Sequence, residues 1–273
     1  MKVHALGGTP RSGSTLLCNL LNTRPDTFAS SSSPLAPSVV AAAQALAGRP
    51  EFTSELGNDP RGTQARGVSA LQGLIRGWYA HRKEQVVIDK DRSNIWLLNR
   101  EMFRSACPGS KLVITVRDPR AVMGSILKRQ DTHPMTQMGG TVADRATALF
   151  GASGLVGTAM RSVENILALQ NANPALVDHV IFVAYEGFVA NPGPTMAALD
   201  QALGLDPYEY DFDNVPRYAT DRDELYGFLW PHDGSGKVEV KEPDWPRWVP
   251  PQVANQLLSM YPLYCQAFGY KSA

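Results

Sequence analysis

The sequence predicts an α/β fold, a single parallel sheet with helices on both faces, from three observations. Short apolar runs at 3–6, 86–89, 111–116 and 180–184 have the length and near-continuous hydrophobicity of strands buried on both sides. Segments with helical spacing of apolar residues separate these runs, so successive strands need crossovers and run parallel. The first run leads straight into a glycine-bearing turn and then a helix, the layout in which free backbone N–H groups face an anion. In such sheets ligands sit beyond the carboxyl ends of the strands, which puts the loops after residues 6, 89, 116 and 184 on one functional rim.

The elements follow in order. A helix opening at about Ser14 carries the stripe Leu16, Leu17, Leu20 and Leu21. Residues 30–34, Ser-Ser-Ser-Ser-Pro, read as a loop before an alanine-rich helix over 38–47. Residues 50–62 read as a polar connector, and Val68, Leu71, Leu74, Ile75 and Trp78 as one face of a helix. Ser93 starts a helix expected to bury Ile95, Leu98 and Met102, and Pro119 suits the first turn of the helix after the third strand. A long helical stretch spans 141–171, another helix spans 192–204, and a last one from Pro251 aligns Val253, Leu257, Tyr261, Tyr264 and Phe268. No repeat or linker divides the chain, so 1–273 is expected to be one domain, with a capping or substrate segment at 206–249. Tyr208, Tyr210, Phe212, Tyr226, Phe228 and Trp230 in that segment could line a pocket or serve as core.

Composition narrows the function. Lys+Arg and Asp+Glu both number 26, which gives no sign of a general nucleic-acid or membrane-surface binder. No apolar run is long enough for a transmembrane helix, no signal peptide is visible at the N-terminus, and three widely spaced cysteines fit a reduced, cytoplasmic setting. The five histidines are scattered, so no metal site is expected.

Gly8 and Gly13 have the G-x-x-x-x-G spacing of a nucleotide-triphosphate loop, which makes the expected sheet P-loop NTPase-like. Ser14, however, stands where a Walker A loop needs the lysine that reaches the β/γ-phosphates. The loop is therefore built for an anion but not for Mg-ATP, which weakens the alternative of a P-loop kinase. At the end of the third strand comes Arg117, and the following helix presents Ser125 and Arg129 four residues apart on one face. A guanidinium and a hydroxyl converging there would hold a second phosphate. Alone, Arg117 would read as a strand-end arginine paired with a carboxylate; its combination with the first loop favours a ligand.

Together the two stretches resemble the sulfotransferases that use 3′-phosphoadenosine 5′-phosphosulfate (PAPS), nearest the tyrosylprotein sulfotransferase branch and its bacterial relatives. Pro10-Arg11-Ser12-Gly13-Ser14-Thr15-Leu16 is similar to that family's 5′-phosphosulfate loop. Arg117 and Ser125, eight positions apart, match its 3′-phosphate signature, and Arg129 falls on a cofactor-binding arginine of the branch. Tyr185, in Tyr-Glu-Gly-Phe-Val, resembles a tyrosine that touches the nucleotide, and Lys90 a lysine that contacts the transferring sulfuryl group. Lys237, Lys241 or Arg247 would supply the late basic contact that closes over the cofactor. The likeness spans about 3–192 and implies a sulfotransferase acting on a hydroxyl or amine of a small-molecule or peptide acceptor, with no metal required.

One departure stands out. The branch's catalytic glutamate would fall in 30–34, which holds no carboxylate, and the cytosolic branch's histidine corresponds to Arg92. Asp91, His133 and Asp59 remain as candidate bases, against plainer roles as a helix cap or surface residues. The missing base leaves a non-catalytic nucleotide-binding protein as the alternative.

Overall fold

A computed structural model of the chain describes residues 1–132, 138–218 and 234–271. Its centre is a five-stranded, wholly parallel sheet in the order β2-β3-β1-β4-β5. The strands are β1 (Lys2–Gly8), β2 (Thr27–Ala29), β3 (Val86–Lys90), β4 (Leu112–Val116) and β5 (Val180–Ala184). β1 pairs Leu6 with Lys90 on β3 and Gly8 with Thr115 on β4, so three strand ends come side by side.

Alternate residues of each strand serve opposite faces, as the pleat requires. Val87, Leu112, Ile114 and Val116 pack into one apolar cluster with Ile75, Phe103, Met160, Leu257 and Tyr264. Those side chains come from α4 (Pro60–Trp78), α5 (Leu97–Ala106), α8 (Leu155–Ala172), α11 (Pro251–Met260) and α12 (Pro262–Phe268). Val86, Ile88 and Val113 face a second cluster with Leu17, Leu20, Phe188, Met196 and Leu199. It is built by α1 (Ser14–Leu21), α9 (Tyr185–Ala190) and α10 (Pro192–Leu203). Two-sided burial explains why the strands read as short unbroken apolar runs.

Several boundaries differ from the sequence expectation. The connector at 50–62 is instead α3 (Pro50–Asn58) and the first turn of α4, each with proline at its opening. No residue of α3 is buried, so it has no apolar stripe to betray it. The edge strand β2 has three residues and pairs with β3 alone, while α9 has six and leaves β5 without a loop. The helix expected from Ser93 begins as a 3-10 turn, Arg92–Ile95, and is interrupted by extended Trp96. That break shifts the phase of α5 (Leu97–Ala106), which buries Asn99, Arg100, Phe103 and Ala106 and leaves Leu98 exposed. Between Gly151 and Gly154 the stretch 141–171 divides into α7 (Val142–Phe150) and α8. Pro262, which has no N–H to donate, divides the closing helix into α11 and α12.

Within 206–249 the described parts are mostly extended, and Val215 and Gly236 form an antiparallel bridge. Tyr210 is core and Phe212 packs beside it, whereas Tyr208 is exposed; Tyr226, Phe228 and Trp230 lie outside the described residues. No helix among the described residues is long and apolar enough to cross a membrane.

Candidate active site

The loop after β1 is held by its neighbour strand. The Thr9 N–H donates to the Thr115 carbonyl at 3.0 Å, and the buried Ser12 hydroxyl donates to the Thr9 carbonyl at 2.6 Å. Ser12 Oγ also lies 2.6 Å from Thr115 Oγ1, so Ser12 shapes the loop from beneath. Gly8, at φ 147°, passes so close to β4 that a Cβ there would meet the Thr115 carbonyl oxygen at 2.3 Å. Gly13, at φ 84°, precedes α1, and a Cβ on it would lie 2.5 Å from the Tyr185 ring. Between them Arg11 takes a left-handed backbone, φ 64°, a conformation uncommon outside glycine. α1 starts without a side-chain cap or an acidic residue in its first turn, which leaves the positive end of its dipole to the cavity.

The second signature meets this loop directly. At the end of β4 the Arg117 N–H donates to the Tyr264 hydroxyl at 2.9 Å, and that hydroxyl donates to the Arg117 carbonyl at 2.8 Å. Tyr264 is buried, which pushes its phenol well above the usual range and keeps it a neutral donor. So anchored, Arg117 lays its guanidinium 4.3 Å over the Tyr185 ring and donates from Nη1 to the Arg11 carbonyl at 3.0 Å. Its Nε is buried without a hydrogen-bond partner. Ser125, on α6 (Pro119–Thr132), accepts from Arg11 Nε at 3.1 Å. Carboxylates close in sequence are engaged elsewhere: Asp118 pairs with Arg120 at 2.7 Å, and Glu186 accepts from the Asp118 N–H and the Tyr270 hydroxyl.

Lys90 ends β3 on the other side of β1. Its side chain is almost fully enclosed, with Nζ 3.4 Å from Thr15 Oγ1 at the head of α1. Its backbone N–H donates to Ser30 Oγ at 2.8 Å. Ser30 therefore positions Lys90, a role that nothing in a run of four serines signals. One residue earlier, Asp89 accepts a 2.5 Å hydrogen bond from the Tyr79 hydroxyl; burial, with the Asp91 charge close by, pushes its carboxyl up to about 6.

The loop, Lys90, Arg117 and Tyr185 border one cavity of about 470 Å³, whereas Ser125 is not among its lining residues. Its lining includes Arg11, Gly13, Ser14, Thr15, Lys90 and Arg92, and across from them Arg117, Arg129 and Tyr185. Lys237 and Lys241 also line it, while Arg247 does not. Gly234, in the same late segment, lies against α1 so closely that a Cβ would be 2.6 Å from the Leu16 nitrogen. Glu239 is the carboxylate among the described lining residues, 3.5 Å from Lys241 Nζ.

Two of the three candidate bases lie elsewhere. Asp91 Oδ1 accepts from the Ser93 N–H at 2.6 Å and the Ser93 hydroxyl at 2.5 Å, capping the 3-10 turn, and the residue does not line the cavity. Asp59 caps α4 through the Gly62 N–H, exposed and away from the cavity. His133 lies outside the described residues. Among the described residues no cluster of His, Cys, Asp or Glu could hold a metal ion.

The sequence model of the sulfotransferase family matches residues 5–210, about three quarters of the chain. The chain belongs to this family. Its activity is accordingly that of a transferase of sulfuryl groups. A search of curated proteins finds no match to the sequence. Solved sulfotransferases share the fold at low identity. The sulfotransferase domain of the Synechococcus PCC 7002 olefin synthase superposes with a TM-score of 0.58 at 21% identity, covering 99% of this chain and 94% of its own. A sulfotransferase from Alicyclobacillus acidocaldarius gives 0.55 at 14% identity, covering 99% and 97%. A mouse sulfotransferase, solved with PAP, gives 0.57 at 13% identity, covering 97% of this chain and 85% of its own.

Proposed function

We propose that the cavity binds PAPS and moves its sulfuryl group to a hydroxyl or amine of a small acceptor. The observation that carries this reading is the junction of the two anion sites through one residue. Arg11 accepts from Arg117 on its carbonyl at 3.0 Å and donates to Ser125 from its side chain at 3.1 Å. Two anionic groups of a single ligand fit such a paired arrangement better than one isolated phosphate.

In this reading Ser12, Gly13, Ser14 and Thr15 present the loop and the head of α1 to the 5′ end, with Arg11 beside them. Arg117, Ser125 and Arg129 hold the 3′-phosphate, Tyr185 lies against the nucleotide, and Lys237 and Lys241 close over it. Lys90 stabilises the negative charge that develops on the bridging oxygen as the S–O bond breaks. Asp91 positions the turn that carries Arg92. His133, four residues after Arg129, receives the acceptor's proton in the pH range where imidazole titrates. The whole of 1–273 acts as one catalytic domain in the cytoplasm, with 206–249 as its capping or substrate segment.

Calorimetry with 3′-phosphoadenosine 5′-phosphate (PAP) in EDTA tests the reading. Binding without Mg²⁺, and much tighter than that of ATP or of the nucleotide lacking the 3′-phosphate, is expected; equal affinity for the last would remove the dedicated 3′ site. For the base, His133→Gln should lower kcat by about 10²–10⁴, the range for a general base, and Asp91→Asn should leave turnover largely intact. The reverse pattern moves the base to Asp91.

A further inference from the structure

We infer that the acceptor is an aliphatic, amphiphilic alcohol, a hydroxyl carried on a hydrocarbon chain. The inference rests on the sulfuryl-transfer reading above and deepens it. The same cavity that holds Lys90 and Arg92 has a wall made of Ile126, Met138, Leu149, Leu155 and Val156. Arg92 lines the same cavity as this wall, and the 3-10 turn that carries it packs against α8, the helix that opens with Leu155 and Val156. Leu155 is 44% exposed, an unspent apolar surface at the cavity's mouth.

Chemistry narrows the occupant. A sugar would bring several hydroxyls against this wall, and each would need a partner to offset its lost hydration. On the wall's own helix α6, the carbonyl oxygen of Gln130 already accepts from Arg145 at 3.4 Å, and Arg129 belongs to the proposed cofactor site. The five wall residues are all aliphatic or thioether, so nothing in them offers an aromatic acceptor a ring to stack on. Four residues beyond Arg92 the apolar surface resumes: Trp96, Leu97 and Leu98 are 43%, 65% and 47% exposed at the same rim of the sheet. A hydrocarbon chain longer than the cavity could extend over them.

The reaction balances without another reagent. The alcohol oxygen forms a bond to sulfur, and the bond between sulfur and the bridging oxygen breaks. Its electron pair stays on the 5′-phosphate, and the hydroxyl proton leaves through the base to water. The products are an alkyl sulfate and PAP.

The test is a homologous series of primary alcohols, from butanol to dodecanol, assayed with labelled PAPS against galactose and an acidic tyrosine peptide. kcat/KM should rise by about fourfold per methylene, the hydrophobic increment, until the wall is spanned, with sugar and peptide near background. Leu155→Asp is the probing variant. Aspartate suits the first turn of a helix, so the fold is retained while a carboxylate enters the wall. It should lower kcat/KM for dodecanol at least tenfold and leave PAP affinity unchanged. A flat series, or a preference for the sugar or the peptide, overturns the inference. Direct binding of dodecanol, followed by ligand-observed NMR with and without the substitution, separates the two readings. Alcohol binding lost in Leu155→Asp without any PAP binding would uphold the acceptor class and sink the cofactor assignment. PAP binding with no alcohol bound or sulfated would do the opposite.

Discussion

Two arginines on this chain, the buried Arg24 and the half-buried Arg117, have opposite surroundings. Arg24, 4% exposed, donates to both oxygens of Asp26 at 2.9 and 3.0 Å, to Asp200 at 3.2 Å and to the Asp206 carbonyl at 3.0 Å. Tyr210 adds its hydroxyl to Asp200 at 2.8 Å, and the Arg24 guanidinium holds the Asp26 carboxyl below its usual range. Arg117 meets a backbone carbonyl and an aromatic ring, and one of its buried donors has no partner. Both cost desolvation. Only Arg24 recovers it within the fold, by joining the end of α1 to the segment after α10. Arg117 keeps donor capacity in a cavity where an anion would complete it. The Arg24 guanidinium is matched by carboxylates within the fold, and that of Arg117 by neutral groups at the cavity.

That contrast can be broken from either side. The largest effect is expected at Arg24. Arg24→Met leaves Asp26 and Asp200 without their cation and should cost about 3–5 kcal/mol in urea unfolding, while any folded fraction binds PAP normally. Lys90→Ala should lower kcat by about 10²–10³, the scale of a lost donor to a developing oxyanion, with a smaller change in PAP affinity. Steady-state kinetics at saturating PAPS is the measurement, and an unchanged kcat would refute the role. Arg117→Ala should weaken PAP by about 1.5–3 kcal/mol, the range for a hydrogen bond to a charged group, with little change in stability. The loss should nearly vanish for a nucleotide without the 3′-phosphate; if both ligands weaken alike, Arg117 belongs with Arg24.

The smallest effect concerns Asp89. Its folded pKa, about 6, lies above the ordinary value of 3.8, so the folded state binds the extra proton between them. Its contribution to stability is complete below the ordinary value and is lost as pH rises through about 6, with a slope of at most about 1.4 kcal/mol per pH unit. Asp89→Asn keeps an acceptor for Tyr79 and should flatten unfolding free energy between pH 4 and 6. A slope that survives the substitution would assign it to another group.

Parts of this arrangement were legible in the sequence for a physical reason. The strands at 86–89 and 111–116 are short and buried on both faces, so their apolar residues run nearly together, while the half-buried edge strand at 180–184 is apolar throughout; the Gly8 to Thr15 loop has a spacing that backbone geometry demands. Arg117 and Ser125 could be joined to that loop because a parallel sheet gathers its strand ends on one rim. What escaped notice is held by contacts without a pattern. α3 buries nothing, β2 has a single partner, and Trp96 interrupts a helix with no proline or glycine to announce it. Ser30 takes its place through hydrogen bonds to Ile88 and Lys90, 58 and 60 residues away, and Gln130 accepts from Arg145, 15 residues away. Asp91 was singled out because it adjoins Lys90, yet successive strand-end residues point to different sides, and its carboxylate turns back to Ser93.

The left-handed backbone of Arg11 has a consequence for how the two ends of the cavity communicate. At φ 64° its carbonyl meets Arg117 while its side chain reaches Ser125, so one residue is a rivet between the two sites that the proposed function assigns to opposite ends of a ligand. A pull on either end is transmitted to the other through that single peptide unit. The energies of the two half-sites therefore do not add: a nucleotide with both anionic groups tightens a linked frame, and a fragment with one meets a frame whose other half is slack. Under the proposed function, recognition would be a chelate effect built into the backbone.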